Sequence, residues 1–269
     1  MVQCVCLKTN KEQCTREASF NPSDNKLYCW QHQICLKPLE KQKIPISIKK
    51  IPQHVEISAH LTQVSEIKEK KKLSDFFLDN QISVTDINNI DLKLFIGPIT
   101  NSNWIIRDKI LAGCYPLTEL DSLKKCNLRD VICLQTPEEL NSFIPYIPLL
   151  NEDIVNYHNF PIPDQGVVDD QLMIEYMKQI ILVIKLSKGL TYIHCKGGHG
   201  RTGVVVALLL GYIYNLSCQD ALDLTQKLHD ARWINEHKKS KNKYIYKSPQ
   251  TKIQFNQVKR LVPLMQKFN

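Results

Sequence analysis

No stretch of this sequence reaches the roughly 20 uninterrupted apolar residues that a membrane-spanning helix needs. The best run, Val204–Leu210 extended to Tyr214, is short and carries Gly211. The chain therefore reads as soluble. The first residues, MVQCVCLKTNKEQC, lack an apolar core of signal-peptide length, so an intracellular protein, cytoplasmic or nuclear, with reduced cysteines is expected. Thiol chemistry and metal ligation then rank ahead of disulfides for the ten cysteines. No internal repeat is evident, which argues against a solenoid. Acidic residues are in deficit, 27 against 35 basic ones, for a formal charge of +8. Such a surplus favours anionic partners, whether phosphoesters, nucleic acid or acidic protein, without choosing among them.

At 269 residues the chain has room for one catalytic-sized domain and an appendage. Five of the cysteines, Cys4, Cys6, Cys14, Cys29 and Cys35, fall in the first 35 residues, which marks a small module over residues 1–38. Residues 39–85 are rich in lysine, include Pro45, Pro52 and the run KEKKK, and lack sustained periodicity. They read as a solvated linker. From residue 86 to 269 the pattern is that of an α/β domain.

Its elements are legible one by one. NWIIRD and KILAGCYP read as two short strands joined by a turn, followed by a helix near Thr118 to Lys125 and a buried strand in LRDVICLQT. IVNYHNFPIPD is a further strand that ends in a proline-rich loop. Asp169 and Asp170 can cap a helix with Leu172, Ile174, Met177, Ile180, Ile181 and Ile184 on its apolar face, and Gly189 ends it. LTYIHC is a central strand. Helices are expected from Thr202 to about Leu216, from Gln219 to Arg232, and from Ser248-Pro249 onward. Strands alternating with helices imply a twisted, mostly parallel sheet flanked by helices. Ligands of such sheets sit beyond the carboxyl ends of the strands.

Cys195 stands there, after a buried strand and before a long helix. Gly197, Gly198 and Gly200 let the backbone from Lys196 to Arg201 bend into a nest of N–H groups, which holds a multi-oxygen anion at a helix N-terminus. The same positive end favours thiolate over thiol, so Cys195 is a candidate nucleophile. Arg201 can grip two phosphate oxygens with its planar fork.

The stretch HCKGGHGRTG resembles the signature of the cysteine-dependent tyrosine and dual-specificity phosphatases, and the resemblance extends over residues 86–269. It implies a tyrosine-phosphatase-like fold, a phosphocysteine intermediate on Cys195 and no catalytic cofactor. It further implies that the Thr202 hydroxyl helps the thiolate leave, that His194 orients the loop, and that Lys196, Gly197, Gly198, His199, Gly200 and Arg201 hold the substrate phosphate. Asp164, in FPIPDQG, matches the acid that protonates the leaving oxygen, with Asp169 and Asp170 as alternatives. QTKIQ is similar to the glutamine loop of tyrosine-selective members, which makes Gln250 and Gln254 candidates for positioning the hydrolytic water. Lys196 and His199 look like the basic pair of phosphoinositide phosphatases, with histidine in place of the second lysine. The basic run from His237 to Lys247 is a candidate rim of the cleft.

At the other end, Cys4, Cys14, Cys29 and His32 form C-x9-C-x14-C-x2-H. The close Cys29/His32 pair can bind one metal from a single turn, and two more ligands complete a tetrahedral zinc site. Cys6 can replace Cys4. A module this small lacks the apolar surface to fold alone, so structural zinc would supply the missing stability. It resembles the short Cys3His modules appended to proteins of large DNA viruses.

Together these features predict dephosphorylation of phosphotyrosine and phosphoserine or phosphothreonine in proteins. Two enzymatic alternatives are an RNA 5′-triphosphatase, to which the N-terminal module and basic linker would offer a nucleic-acid surface, and a phosphoinositide phosphatase. A third reading is a phosphoprotein-binding module with weak catalysis.

Overall fold

The computed structural model describes residues 90–117, 119–150, 154–233 and 247–268, together with the backbone of residues 19–21 and 26–28. The chain divides into two compact units, Met1–Lys68 with Ser142–Ile144, and Glu69–Asn141 with Pro145–Asn269. In the first, β1 (Ser19–Asn21) and β2 (Lys26–Tyr28) pair antiparallel. The candidate metal ligands Cys4, Cys14, Cys29 and His32 lie outside the described residues, as does the whole of the 39–85 linker region.

In the second unit, five strands form one sheet: β3 (Ser102–Ile106), β4 (Ile110–Gly113), β5 (Leu128–Cys133), β6 (Asn156–Asn159) and β7 (Leu190–His194). Their spatial order is β3-β4-β7-β5-β6. β4, β7, β5 and β6 run parallel and β3 pairs antiparallel with β4 at one edge, so the sheet is mixed. The antiparallel pair follows from the short Arg107–Lys109 turn, which leaves no room for a crossover. β7 is central and all five of its residues are buried. A strand covered on both faces has no solvent side, which is why Leu190–His194 shows no alternation of apolar and polar residues.

Six helices complete this unit among the described residues: α1 (Leu120–Lys125), α2 (Pro137–Leu140), α3 (Asp170–Leu186), α4 (Gly200–Ile213), α5 (Cys218–Asp230) and α6 (Lys252–Met265). All 14 residues of α4 are buried, and it packs against α3, α5, α6 and β4. Val204, Val205 and Val206 are poor helix formers taken alone. Burial on every side holds them helical, and truncating one of the leucines behind them, as in Leu208→Ala, removes about 2–5 kcal/mol.

Three expectations need correction. α4 starts at Gly200, inside the glycine loop, and not at Thr202. α6 starts after Thr251, whose side chain accepts from Gln254 N while the Gln254 side chain accepts from Thr251 N. That reciprocal cap outcompetes the Ser248-Pro249 start, because the Ser248 hydroxyl is engaged with the carbonyl of His199 instead. Finally, Leu172 is 42% exposed and Met173 is buried in its stead. Asp169 is the cap of α3, accepting from Gln171 N at 2.8 Å, and the other five expected positions, Ile174, Met177, Ile180, Ile181 and Ile184, are buried as the apolar pattern implied.

Candidate active site

The parallel strands β4, β5 and β7 end together, with Gly113 and Cys133 both in register with His194. Cys195 is the next residue and is buried. The loop after it is shaped by what its carbonyls do. The Cys195 carbonyl accepts from His194 Nδ1 at 3.1 Å, that of Lys196 from Tyr115 N at 3.0 Å, that of Gly198 from Arg232 Nη1 at 3.0 Å, and that of His199 from the Ser248 hydroxyl at 3.0 Å. A trans peptide aims its N–H opposite to its C=O. Four donors on the protein side of the loop thus turn the N–H groups of Lys196, Gly197, His199 and Gly200 the other way, which makes the nest that the glycines permit.

Gly198 is irreplaceable there. Its φ is +75°, and a Cβ on it would lie 2.4 Å from the backbone of Gly113. The loop is pressed against the end of β4, and no side chain fits between them.

His194 is fully buried, and burial pushes its pKa down to about 4, against the opposing bond to the Cys195 carbonyl. It is neutral. Because a carbonyl only accepts, Nδ1 carries the hydrogen, and Nε2 accepts from the Tyr146 hydroxyl at 2.7 Å. A buried tyrosine therefore fixes the ring that fixes the first peptide of the loop. The tyrosine rings of Tyr115, Tyr146 and Tyr192 surround this histidine.

Arg201 is buried at the first turn of α4. Its Nη1 donates to Glu139 Oε2 at 2.5 Å and to the Ile162 carbonyl at 3.0 Å. Its Nη2 donates to Glu139 Oε1 at 3.0 Å and to Asp164 Oδ1 at 2.8 Å. Burial opposes its charge, but the bonds to Glu139 and the proximity of Cys195 and Asp164 outweigh that and raise its pKa. The structure thus brings Cys195, Arg201 and Asp164 together, as the sequence led us to expect.

Glu139 escaped the sequence reading. Its signal was present: Thr136-Pro137-Glu138-Glu139 after a strand is a capping box with proline in the first turn, and Thr136 and Glu139 do cap α2 reciprocally. The same carboxylate that closes the cap holds Arg201. Arg232 was missed too, having been read only as the end of a helix. It is buried behind the loop, donating to Asn103 Oδ1, Gly198 O and Ala112 O.

His199 departs from the expected basic pair. Its Nδ1 lies 2.8 Å from His229 Nε2, and burial, with His229 and Arg232 adding to it, pushes its pKa down to about 3. A neutral ring bonded to another histidine is no substitute for a second lysine. Lys196 is exposed at the start of the loop.

Gln254 also departs from its expected role. It is fully buried, its Oε1 accepts from Gln250 N and Thr251 N, and its Nε2 donates to Gly166 O. An amide committed on both ends does not position a water. Gln250 is exposed. Thr202 is buried, and its Oγ1 has no hydrogen-bond partner among the described residues. Asp170 is bound by Arg260 and Gln257, and Asp169 caps α3, so neither alternative acid is on Arg201. Of the run His237 to Lys247, only Lys247 lies within the described residues.

Five cysteines, Cys114, Cys126, Cys133, Cys195 and Cys218, are unpaired in the described part. Burial raises Cys114 and Cys133 to about 11, which keeps both as thiols near neutral pH. No described helix is long and apolar enough to cross a membrane.

Residues 99–252 match the model of a family described as PTP-SAK, "Swiss Army Knife protein, DSP-PTPase phosphatase domain". The chain is 35% identical over 127 residues to "Putative tyrosine phosphatase 197R" of Invertebrate iridescent virus 6, covering 45% of this chain and 46% of that protein. It is 33% identical over 113 residues to "Cyclin-dependent kinase inhibitor 3" of Sus scrofa, covering 41% of this chain and 53% of that protein. The matched stretch spans about half the length of these relatives.

Proposed function

This chain belongs to the PTP-SAK family of DSP-PTPase phosphatase domains, and on that premise we propose that it hydrolyses phosphotyrosine, phosphoserine and phosphothreonine in proteins through a phosphocysteine on Cys195. The observation that carries the proposal is the Arg201 guanidinium, held by Glu139 at one edge, bonded to Asp164, and set at the end of the loop that Cys195 opens.

The arrangement supplies each step. The turned N–H groups of the loop bind the non-bridging phosphate oxygens. Arg201 has five N–H groups, and four are committed to Glu139, Ile162 and Asp164. The Nε–H, and the Nη2–H that Asp164 shares, are the ones a phosphate takes. The Cys195 sulfur attacks phosphorus as the ester P–O bond breaks, and Asp164 passes a proton to the leaving oxygen. Water then attacks the phosphocysteine, Asp164 takes the proton, and the S–P bond breaks to release phosphate and thiolate. The buried Thr202 hydroxyl, which has no hydrogen-bond partner among the described residues, is the group assigned to bond that thiolate. Gln250 remains the candidate for holding the water, while Gln254 serves the loop.

One feature favours protein substrates over phosphoinositides: the neutral His199 leaves Lys196 and Arg201 as the cations of the loop. The overall +8 charge suits anionic partners of either class. A side-by-side turnover assay on acidic phosphopeptides, phosphoinositides and triphosphorylated RNA tests the reading. We expect all three phosphoresidues to be hydrolysed, at rates that fall as salt screens the attraction. A preference of about 100-fold for the lipid or the RNA, near 2.7 kcal/mol of transition-state stabilisation, would overturn it, and activity confined to phosphotyrosine would reject dual specificity.

The N-terminal segment is proposed to bind one structural zinc through Cys4 (or Cys6), Cys14, Cys29 and His32, on the strength of their spacing. Metal analysis should find about one zinc per chain, lost on deletion of residues 1–38 with small-substrate turnover retained. Zinc that persists after the deletion would refute it.

A further inference from the structure

The segment that follows Asp164, from Gln165 through the loop to Asp170 at the start of α3, is held by one face of α6. Thr251 Oγ1 donates to Gln165 O at 3.1 Å and Gln254 Nε2 to Gly166 O at 3.0 Å. Gln257 Nε2 donates to Val168 O at 2.7 Å and to Asp170 Oδ1 at 3.0 Å, and Arg260 grips both oxygens of Asp170, at 2.7 and 2.9 Å. Positions 251, 254, 257 and 260 advance by three, so they form a single polar ridge along the helix. Their acceptors advance in the same order, from Gln165 to Asp170 at the first turn of α3. A side chain facing a solvated loop would find water instead; here four donors spaced three residues apart, over fewer than three turns, all meet acceptors of this segment.

Gln257 shows that the match is not incidental. It is fully buried, its Nε2 makes two bonds to the loop, and its Oε1 has no partner among the described residues. A buried unpaired oxygen costs stability, and within α6 nothing offsets it. The two bonds to the loop are the compensation. The near end of the loop is fixed as well, because Gly166 N donates to Pro163 O and Gln165 takes a positive φ of 56° to make that turn. With both ends held, Asp164 is left directly on Arg201.

We infer that the Thr251–Gln254–Gln257–Arg260 face of α6 is a clamp that positions the general-acid loop, fixing Asp164 over the reacting phosphate without a loop-closing step. The inference rests on the reading of Asp164 as the acid. These are positioning residues: they act on the chemistry only through Asp164, so their loss must be felt where Asp164 is needed and nowhere else.

The test uses Gln257→Leu and Arg260→Ala in the full-length protein, the second at an exposed site whose loss does not threaten the core. Turnover is measured on an unactivated aryl phosphate, phenyl phosphate, and on an activated one, dinitrophenyl phosphate, in the native and Asp164→Asn backgrounds. Amide hydrogen exchange is followed over residues 164–170. We expect kcat on phenyl phosphate to fall at least about tenfold, a part of the full general-acid contribution, with KM unchanged and the activated ester affected less than about twofold. In Asp164→Asn the same substitutions should cost nothing further, and exchange in the loop should quicken in both variants. Equal losses on the two esters, losses that persist in Asp164→Asn, or unchanged exchange would overturn the clamp. If exchange quickens but the native protein turns over neither ester, the phosphatase reading fails, and the role assigned to the clamp fails with it.

Discussion

Two arginines are buried on opposite sides of the same loop, and their surroundings could hardly differ more. Arg201, at the mouth, is surrounded by carboxylates: Glu139 takes both its Nη atoms and Asp164 one of them. Arg232, behind, meets no carboxylate among the described residues and donates to the side-chain oxygen of Asn103 and to two backbone carbonyls. The consequence appears in their titration. The carboxylates raise the pKa of Arg201 despite its burial, while burial lowers that of Arg232 to about 10. A guanidinium poised between carboxylates can exchange one of them for a phosphate at little cost, because charge is matched before and after. A guanidinium bonded to neutral oxygens has no such exchange to make; it fixes the backbone geometry of Gly198 and adds a fixed positive charge beneath the loop.

Substitution by lysine should separate the two. Arg201→Lys should lower kcat/KM by about 10³-fold, because a point charge cannot reproduce the two-pronged grip on transition-state oxygens. Steady-state kinetics at a temperature where both proteins are folded will check it. Should Arg201→Lys retain a tenth of native activity, the mouth arginine is a structural strut like its counterpart.

Next in size is Asp164→Asn. The rate on an unactivated ester should drop by about 10²-fold or more, whereas an activated aryl ester should respond far less. Equal loss on both would mean that Asp164 serves Arg201 alone.

Arg232→Lys should act mainly on stability. Leaving Gly198 O and Asn103 Oδ1 short of donors costs about 1–3 kcal/mol per group, visible in urea titration, while the rate of the folded fraction stays within about tenfold of native. A larger kinetic than thermodynamic effect would place Arg232 in the chemistry.

A further effect, on stability alone, is in pH. His194, His199 and His229 have folded pKa values pushed down by burial to about 4, 3 and 4, against about 6.5 when unfolded. Below 6.5 the unfolded chain therefore binds more protons than the native one. Stability is full above that pH and declines as pH falls toward 4, each histidine contributing a slope of up to about 1.4 kcal/mol per pH unit. Urea midpoints at pH 7.5 and 5.0 should show the decline, and His229→Gln should shrink it. A flat profile would contradict neutral burial of the cluster.

The front of the loop was legible in the sequence and the back was not, for a physical reason. Cys195, the glycines and Arg201 are contiguous, so spacing alone predicts their convergence, and Asp164 follows a proline-bounded strand. Arg232, Ser248, Tyr115 and Tyr146 reach the loop from distant positions through tertiary contacts, which no local pattern encodes. His199 illustrates the limit most sharply: its place in the loop resembled the second of a projecting basic pair, with at most part of a charge, and only the packing of α5 shows its bond to His229. The glutamines of α6 followed the same course, since a last helix was expected from Ser248-Pro249 onward but the acceptors that Gln254 and Gln257 meet beside the acid were not. The strand order, with β7 between β4 and β5, likewise depends on long-range pairing, although the alternation of strands and helices announced a largely parallel sheet.

In this mechanism Cys195 carries the phosphate during turnover. Rapid quenching of the native protein with a phosphorylated substrate, followed by mass mapping of its peptides, tests it most directly. The account predicts a phosphate adduct on the peptide containing Cys195, absent from Cys195→Ser, whose turnover should be abolished because a hydroxyl is a far poorer nucleophile than a thiolate at neutral pH. Phosphate on a different residue, or an active Cys195→Ser protein, would contradict it.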